Sequence, residues 1–66
     1  MDVVINGERT QVTPGATLLE VLKELALDPR AVVVEYNRRI VRRTGLGKVT
    51  VAEGDAIELV HFVGGG

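Results

Sequence analysis

One helical stretch constrains this chain more than any other feature. In "TLLEVLKEL", Thr17 to Leu25, the residues Leu18, Val21, Leu22 and Leu25 recur at i, i+3, i+4 and i+7 and form one apolar stripe. Glu20, Lys23 and Glu24 lie mostly on the other face. Thr17 and Glu20 have the spacing of a capping box, in which hydroxyl and carboxylate each accept from an exposed backbone N–H of the first turn. Asp28-Pro29 predicts the stop, because proline disfavours helical geometry in the residue before it. One amphipathic helix leaves one apolar stripe to cover, and a single sheet face can cover it.

The other segments supply that sheet. Met1 to Asn6 is rich in β-branched residues and reads as a strand. Asn6-Gly7 is a tight-turn signal, since both residues tolerate positive φ, and Arg9 to Val12 returns as the second strand before Pro14 and Gly15 break it. Ala31 to Tyr36 reads as the third strand, with Asn37-Arg38 turning into a short strand, Arg39 to Val41. Arg42 to Lys48 carries Gly45 and Gly47 and reads as an irregular connection; Val49 to Val51 reads as a brief extended piece. Ala52 to Asp55 is a turn, and Ala56 to Val63 is the last and longest strand. The order predicts an α+β fold of the β-grasp, ubiquitin-like type: a mixed four- to five-stranded sheet packed on one helix. The β-grasp domain is expected over 1–63, with a flexible glycine tail at 64–66. The helical crossover should be right-handed, and the last strand is the natural parallel partner of the first.

Composition limits what such a fold can do. The 66 residues hold one domain, and a chain this short buries only about 60% of the surface that it exposes when unfolded. It has no cysteine, hence no disulfide and no thiolate metal site, and His61 is its lone histidine. Stability must come from apolar packing, which a hydrophobic content of 45% permits. The formal net charge of −1 argues against general attraction to nucleic acid or to an acidic membrane surface. No apolar run approaches the roughly 20 residues that span a bilayer, and "MDVVING" has no basic and apolar regions of a signal peptide. A cytoplasmic protein, monomeric when free, is the expectation.

Side-chain catalysis finds little support. There is no serine, and Thr17 is explained as a helix cap. Glu53, Asp55 and Glu58 read as a turn and a solvated strand face rather than an acid–base pair. "TGLGK" lacks both the spacing and the strand–helix context of a phosphate loop. The basic residues Arg38, Arg39, Arg42, Arg43 and Lys48 sit in a stretch with no acid between Tyr36 and Ala52. They form either a solvated edge that discourages sheet-to-sheet aggregation or a docking surface for an acidic partner. Nucleic acid ranks behind both, because no aromatic residues interleave for base stacking. Along the last strand, Ile57, Leu59 and Val63 facing the helix would turn Glu58, Val60 and Phe62 outward. His61 would share the inward parity but lie near the rim. Exposed Val60 and Phe62 would make an apolar patch of the kind that marks interfaces; with the opposite parity, Phe62 is core.

The chain's last residues, "GGG", are the remaining candidate. Glycine averages about 7% of residues, so three in a row at a given site arise roughly once in 3,000 by chance. Glycine is also common in flexible linkers. Lacking Cβ, such a tail can enter a channel too narrow for any side chain, and three extended residues reach roughly 10 Å. The group at its tip is the α-carboxylate of Gly66. A carboxylate is a poor electrophile, but a partner enzyme can activate it with ATP as an acyl-adenylate.

"EGDAIELVHFVGGG" (Glu53 to Gly66) resembles the C-terminus of the ThiS family, the sulfur carrier proteins of thiamine biosynthesis. "VINGERTQV", "TLLEVLKEL" and "VVVEYNRRIVRR" fit the same family in order, so the resemblance covers nearly the whole chain. It implies the β-grasp fold and a carrier that is not itself an enzyme. It further implies adenylation of Gly66 by a ubiquitin-activating-like adenylyltransferase (ThiF type) using ATP and magnesium. Conversion to a thiocarboxylate would follow, with sulfur from a cysteine desulfurase persulfide, and then delivery to thiazole synthase (ThiG type). Gly65 and Gly66 match the family's functional diglycine, and Gly64 the subset ending in three glycines. Two stretches depart from the family pattern: the basic turn Asn37-Arg38-Arg39, and "RRTGLGK", which reads as lacking the short apolar helix associated with this position. A carrier for another pathway, such as the molybdopterin type, a ubiquitin-like modifier of lysines and a plain binding module are the rival readings.

Overall fold

Two turns of doubly positive φ set the sheet. The computed structural model describes residues 1–62. Asn6 and Gly7 have φ of +50° and +83°, the sign pattern of a type I′ turn, whose twist matches that of the strands it joins. It links β1 (Asp2–Ile5) to β2 (Glu8–Gln11). Asn37 and Arg38 repeat the pattern at +48° and +72° and link β3 (Val32–Tyr36) to β4 (Arg39–Val41). The last strand, β5 (Ala56–His61), runs up the middle. The five-stranded order is β2-β1-β5-β3-β4, with β5 parallel to β1 and antiparallel to β3. This mixed sheet around one helix is the β-grasp arrangement that the element order predicts. The expected last strand over 56–63 ends at His61. The Phe62 N–H still donates to the Ala31 carbonyl at 3.0 Å, and Val63 lies outside the described residues.

The helix α1 spans Leu18–Glu24 and starts as its sequence dictates. The Thr17 N–H donates to Glu20 Oε1 at 2.9 Å, and the Glu20 N–H donates to Thr17 Oγ1 at 3.2 Å. Its end corrects the sequence reading, which put the stop at Asp28-Pro29. The chain already leaves the helix at Leu25, and Ala26 takes a left-handed φ of +59°. The Ala26 N–H donates to the Lys23 carbonyl at 3.0 Å and the Leu27 N–H to the Leu22 carbonyl at 2.9 Å. These are the paired bonds of a Schellman motif. Alanine at the left-handed position gives no sequence signal, because glycine is the residue expected there.

Arg42 to Lys48 supplies the second correction. A 3-10 helix occupies Arg43–Lys48 and buries Leu46, only 1% of which is exposed, in the same hydrophobic core that holds Leu18, Leu22 and Ile57. The short helix that the sequence reading found missing is present. Its flanking glycines lower helix propensity, but burial of one leucine, roughly 1.5–3 kcal/mol, outweighs that. The extended piece after it then pairs with the helix entry: Thr50 bridges Thr17, the Leu18 N–H donates to the Val49 carbonyl, and the Val51 N–H donates to the Ala16 carbonyl. No polar or charged side chain among the described residues is buried. None of the described helices is long and apolar enough to cross a membrane.

Candidate functional site

The sheet places the root of the glycine tail at the end of its central strand. Ile57 and Leu59 of β5 are buried against the helix, while Glu58, Val60 and Phe62 face outward. Val60 is 61% exposed and Phe62 60% exposed, so Phe62 is surface rather than core. His61, on the inward parity, sits at the rim and is exposed. Gly64, Gly65 and Gly66, the residues expected to carry the chemistry, lie outside the described residues.

Two asparagines hold β5 at its ends. β1 stops pairing with β5 at Ile57, and there the Asn6 side chain takes over: its amide donates to the Leu59 carbonyl at 3.2 Å, and its Oδ1 accepts from the Leu59 N–H at 2.7 Å. The amide thus mimics one more residue of a paired strand. At the other end, Asn37 donates its backbone N–H to the Ala56 carbonyl at 2.8 Å, and its Oδ1 accepts from the Ala56 N–H at 2.9 Å. Each asparagine therefore serves both as a turn residue and as a clamp on the strand that leads to the tail.

Asp55, just before β5, anchors the same end. Its carboxylate accepts from the Tyr36 hydroxyl, from the Ala52 N–H at 2.7 Å and from the Asn37 amide at 3.3 Å. Burial pushes the Asp55 carboxyl up, but these three donors outweigh it and hold it below the usual carboxylate range. The hydrogen bond to Asp55, with burial and the nearby negative charge, pushes the Tyr36 hydroxyl up to about 12. Both groups therefore stay in one protonation state near neutrality and lock two turns together. Asp55 thus ties the turn before β5 to the β3–β4 turn, which agrees with the sequence reading of Glu53 and Asp55 as turn residues.

Across the open face, Val60 lies opposite Val33, and Glu35 lies opposite both Glu58 and Ile40. Ile40 is 70% exposed, and together with Val33, Val60 and Phe62 it extends the apolar strip from the tail root to the β4 edge. The sequence reading did not single out Ile40. Its signal was the alternation with Val41, which packs against the core. The like charges of Glu35 and Glu58 directly opposite one another are mildly destabilising. Among the described residues, no cluster of histidine, cysteine, aspartate or glutamate could hold a metal ion.

A profile of the ThiS family matches residues 3–66. The thiazole synthase of Paramagnetospirillum magneticum is 42% identical over 66 residues, which are the whole of this chain and 20% of that protein. The chain thus spans about a fifth of the length of that relative. The sulfur carrier protein ThiS of Bacillus subtilis is 38% identical over 50 residues, covering 76% of each chain. Among solved structures, the thiamine biosynthesis protein ThiS from Geobacter metallireducens superposes with a TM-score of 0.85 at 32% identity, covering 100% of both chains. Sequence profile, relatives and fold agree that the chain belongs to the ThiS family.

Proposed function

We propose that this chain is a cytoplasmic sulfur carrier of thiamine biosynthesis that holds its cargo on the main-chain carboxyl of Gly66. The observation that carries the reading is the family match, which runs through the glycine tail to residue 66. In this reading the carrier is a cosubstrate, and the catalysis belongs to its partners. An adenylyltransferase, using ATP and magnesium, lets a Gly66 carboxylate oxygen attack the α-phosphorus and release pyrophosphate. A desulfurase persulfide then attacks the acyl carbon and AMP leaves. Reduction of the sulfur–sulfur bond by a thiol leaves a thiocarboxylate. It ionises readily and is a good nucleophile, so it can deliver sulfur to thiazole synthase.

Several features support this assignment. The exposed Val60 and Phe62 next to the tail root, flanked by Glu58, suit a surface that partners grip while the tail enters their active sites. The similarity of the chain to a segment of thiazole synthases supports that enzyme class as the recipient. Gly64 and Gly65 serve as the slender lead that reaches the reactive centre. Intact-mass analysis after incubation with the cognate adenylyltransferase, ATP and a sulfur donor tests the reading. A gain equal to sulfur replacing one oxygen is expected. An unchanged mass with competent partners would refute it, and addition of a whole protein would favour a modifier instead.

A further inference from the structure

The basic stretch after Tyr36 has no part in the tail chemistry, yet the fold brings its Arg42–Arg43 end beside Phe62, at the root of the tail. Residues 37–51 hold five of the chain's eight cations and none of its nine acids. Arg42 and Arg43 follow β4 and line a surface groove whose wall also includes Val33, Ile40 and Phe62, with Arg30 entering from the loop after the helix. Arg30 is partly neutralised by Asp28, at 3.3 Å, the one ion pair among the described residues. Arg30 also donates its backbone N–H to the Asp28 carboxylate at 2.8 Å. Arg42 and Arg43 are exposed and have no carboxylate within ion-pairing distance among the described residues. Arg43 is close enough to Asp28 for its charge to help hold that carboxyl below the usual range, behind the larger effect of the hydrogen bonds from Arg30.

On the β3–β4–β5 part of this face the acids are Glu35 and Glu58, paired across β3 and β5; Asp2 lies on the same face at β1, at the end away from the tail root. Beside the apolar strip, Arg42 and Arg43 lie toward the tail root, the two glutamates lie farther down the sheet, and Arg38 and Arg39 sit at the β3–β4 turn beyond them. Strand addition at this edge is poorly served, because β4 has only three residues and in such a hairpin only the middle one turns its N–H and C=O outward. Recognition must rest on side chains.

We propose that the Arg42–Arg43 rim and the floor of Val33, Ile40 and Phe62 form a docking groove for an acidic, apolar-tipped segment of the proteins that act on the tail. The inference rests on the carrier reading in one respect, namely which proteins those are. Phe62 belongs both to the groove and to the root of the tail, so a partner seated here is already aligned with the chain that it must take up. Two arginines without a carboxylate in ion-pairing distance among the described residues favour an acidic partner over a basic one, and complementary charge raises encounter rates as well as fixing orientation. An arginine rim that served only to keep sheet edges apart would work as well with any other charge. The two explanations therefore separate under charge reversal.

The test is the double variant Arg42→Glu/Arg43→Glu, with Lys23→Glu on the helix as a control. Binding to the cognate thiazole synthase is measured by titration, and KM for the cognate adenylyltransferase by adenylation kinetics. Reversal should weaken at least one of these by about tenfold, as expected for two exposed charge contacts turned repulsive. It should also abolish the loss of affinity with added salt that the wild type shows. Arg42→Lys/Arg43→Lys should retain affinity within about threefold, and Lys23→Glu should match the wild type. Values within about twofold of wild type for both partners, with an unchanged thermal melt, would overturn the proposal. If the reversed variant unfolds, Arg42→Gln/Arg43→Gln and the wild-type salt titration decide the matter, and a salt-independent affinity would overturn it. Loss of polyanion binding with both protein affinities intact would also overturn it, in favour of nucleic acid. A wild type that binds but gains no sulfur would refute the carrier reading and leave the groove standing.

Discussion

Replacing Ala26 by glycine should stabilise the protein. Ala26 sits at φ +59° just beyond the helix, where a Cβ crowds the following carbonyl at a cost of roughly 1–2 kcal/mol. Glycine removes that cost but makes the unfolded chain more flexible, which takes back roughly 0.5–1 kcal/mol. Ala26 is exposed, so no packing is lost. The net gain is about 0.5–1 kcal/mol. In a domain of this size each kcal/mol moves Tm by about 4–8 °C, which gives a rise of about 2–8 °C in a circular dichroism melt. Urea unfolding should show a higher midpoint with the same slope, since the surface exposed on unfolding does not change. The sign is the decisive quantity. Had the helix run on to Asp28, glycine in its interior would cost about 1 kcal/mol, and Tm would fall. A fall would therefore refute the Schellman ending.

Three further outcomes follow from the same structure. Leu46→Ala should cost about 2–5 kcal/mol in urea unfolding, because the side chain is 1% exposed and the 3-10 helix has no other buried residue; a cost below about 1 kcal/mol would contradict its role as an anchor. Asp55 is held below the usual carboxylate range in the folded state, so its contribution is complete above the unfolded pKa and is lost as pH falls through the folded value. Asp55→Asn offers one acceptor oxygen to three donors. It should lower stability at neutral pH by about 1–2 kcal/mol and flatten the decline that acid-unfolding curves show as pH falls through and below the usual carboxylate range. In the carrier reading Gly65→Ala should block adenylation while leaving the thermal melt unchanged, because the added Cβ would not enter a partner channel shaped for glycine; adenylation at the wild-type rate would refute the narrow-channel argument.

Much of the fold was legible because its signals are local. The capping box of Thr17 and Glu20, the Asn6-Gly7 turn and the alternation of Ile57, Glu58, Leu59 and Val60 each fit within a few residues. What was not legible depends on contacts across the chain. Nothing near Leu46 in sequence announces that it fills the space beneath α1, and its neighbouring glycines point the other way. The Asn6 clamp on Leu59 joins residues 53 apart. The helix end was misjudged because an alanine in left-handed geometry looks like a helix former. At the candidate site, strand parity exposed Phe62, Val60 and Glu58 correctly, whereas the share of Ile40 in the patch emerges only when β4 is laid beside β3.

The carrier reading meets its most direct test in the fate of labelled sulfur. The chain is charged with isotopically labelled sulfur by the adenylyltransferase and sulfur donor, purified, and given to the cognate thiazole synthase with its other substrates. The account predicts that the label leaves Gly66 and appears in the thiazole product, with the chain returning to its unloaded mass. Label that remains on the chain, or that appears only in another acceptor while thiazole formation proceeds without it, would contradict the account.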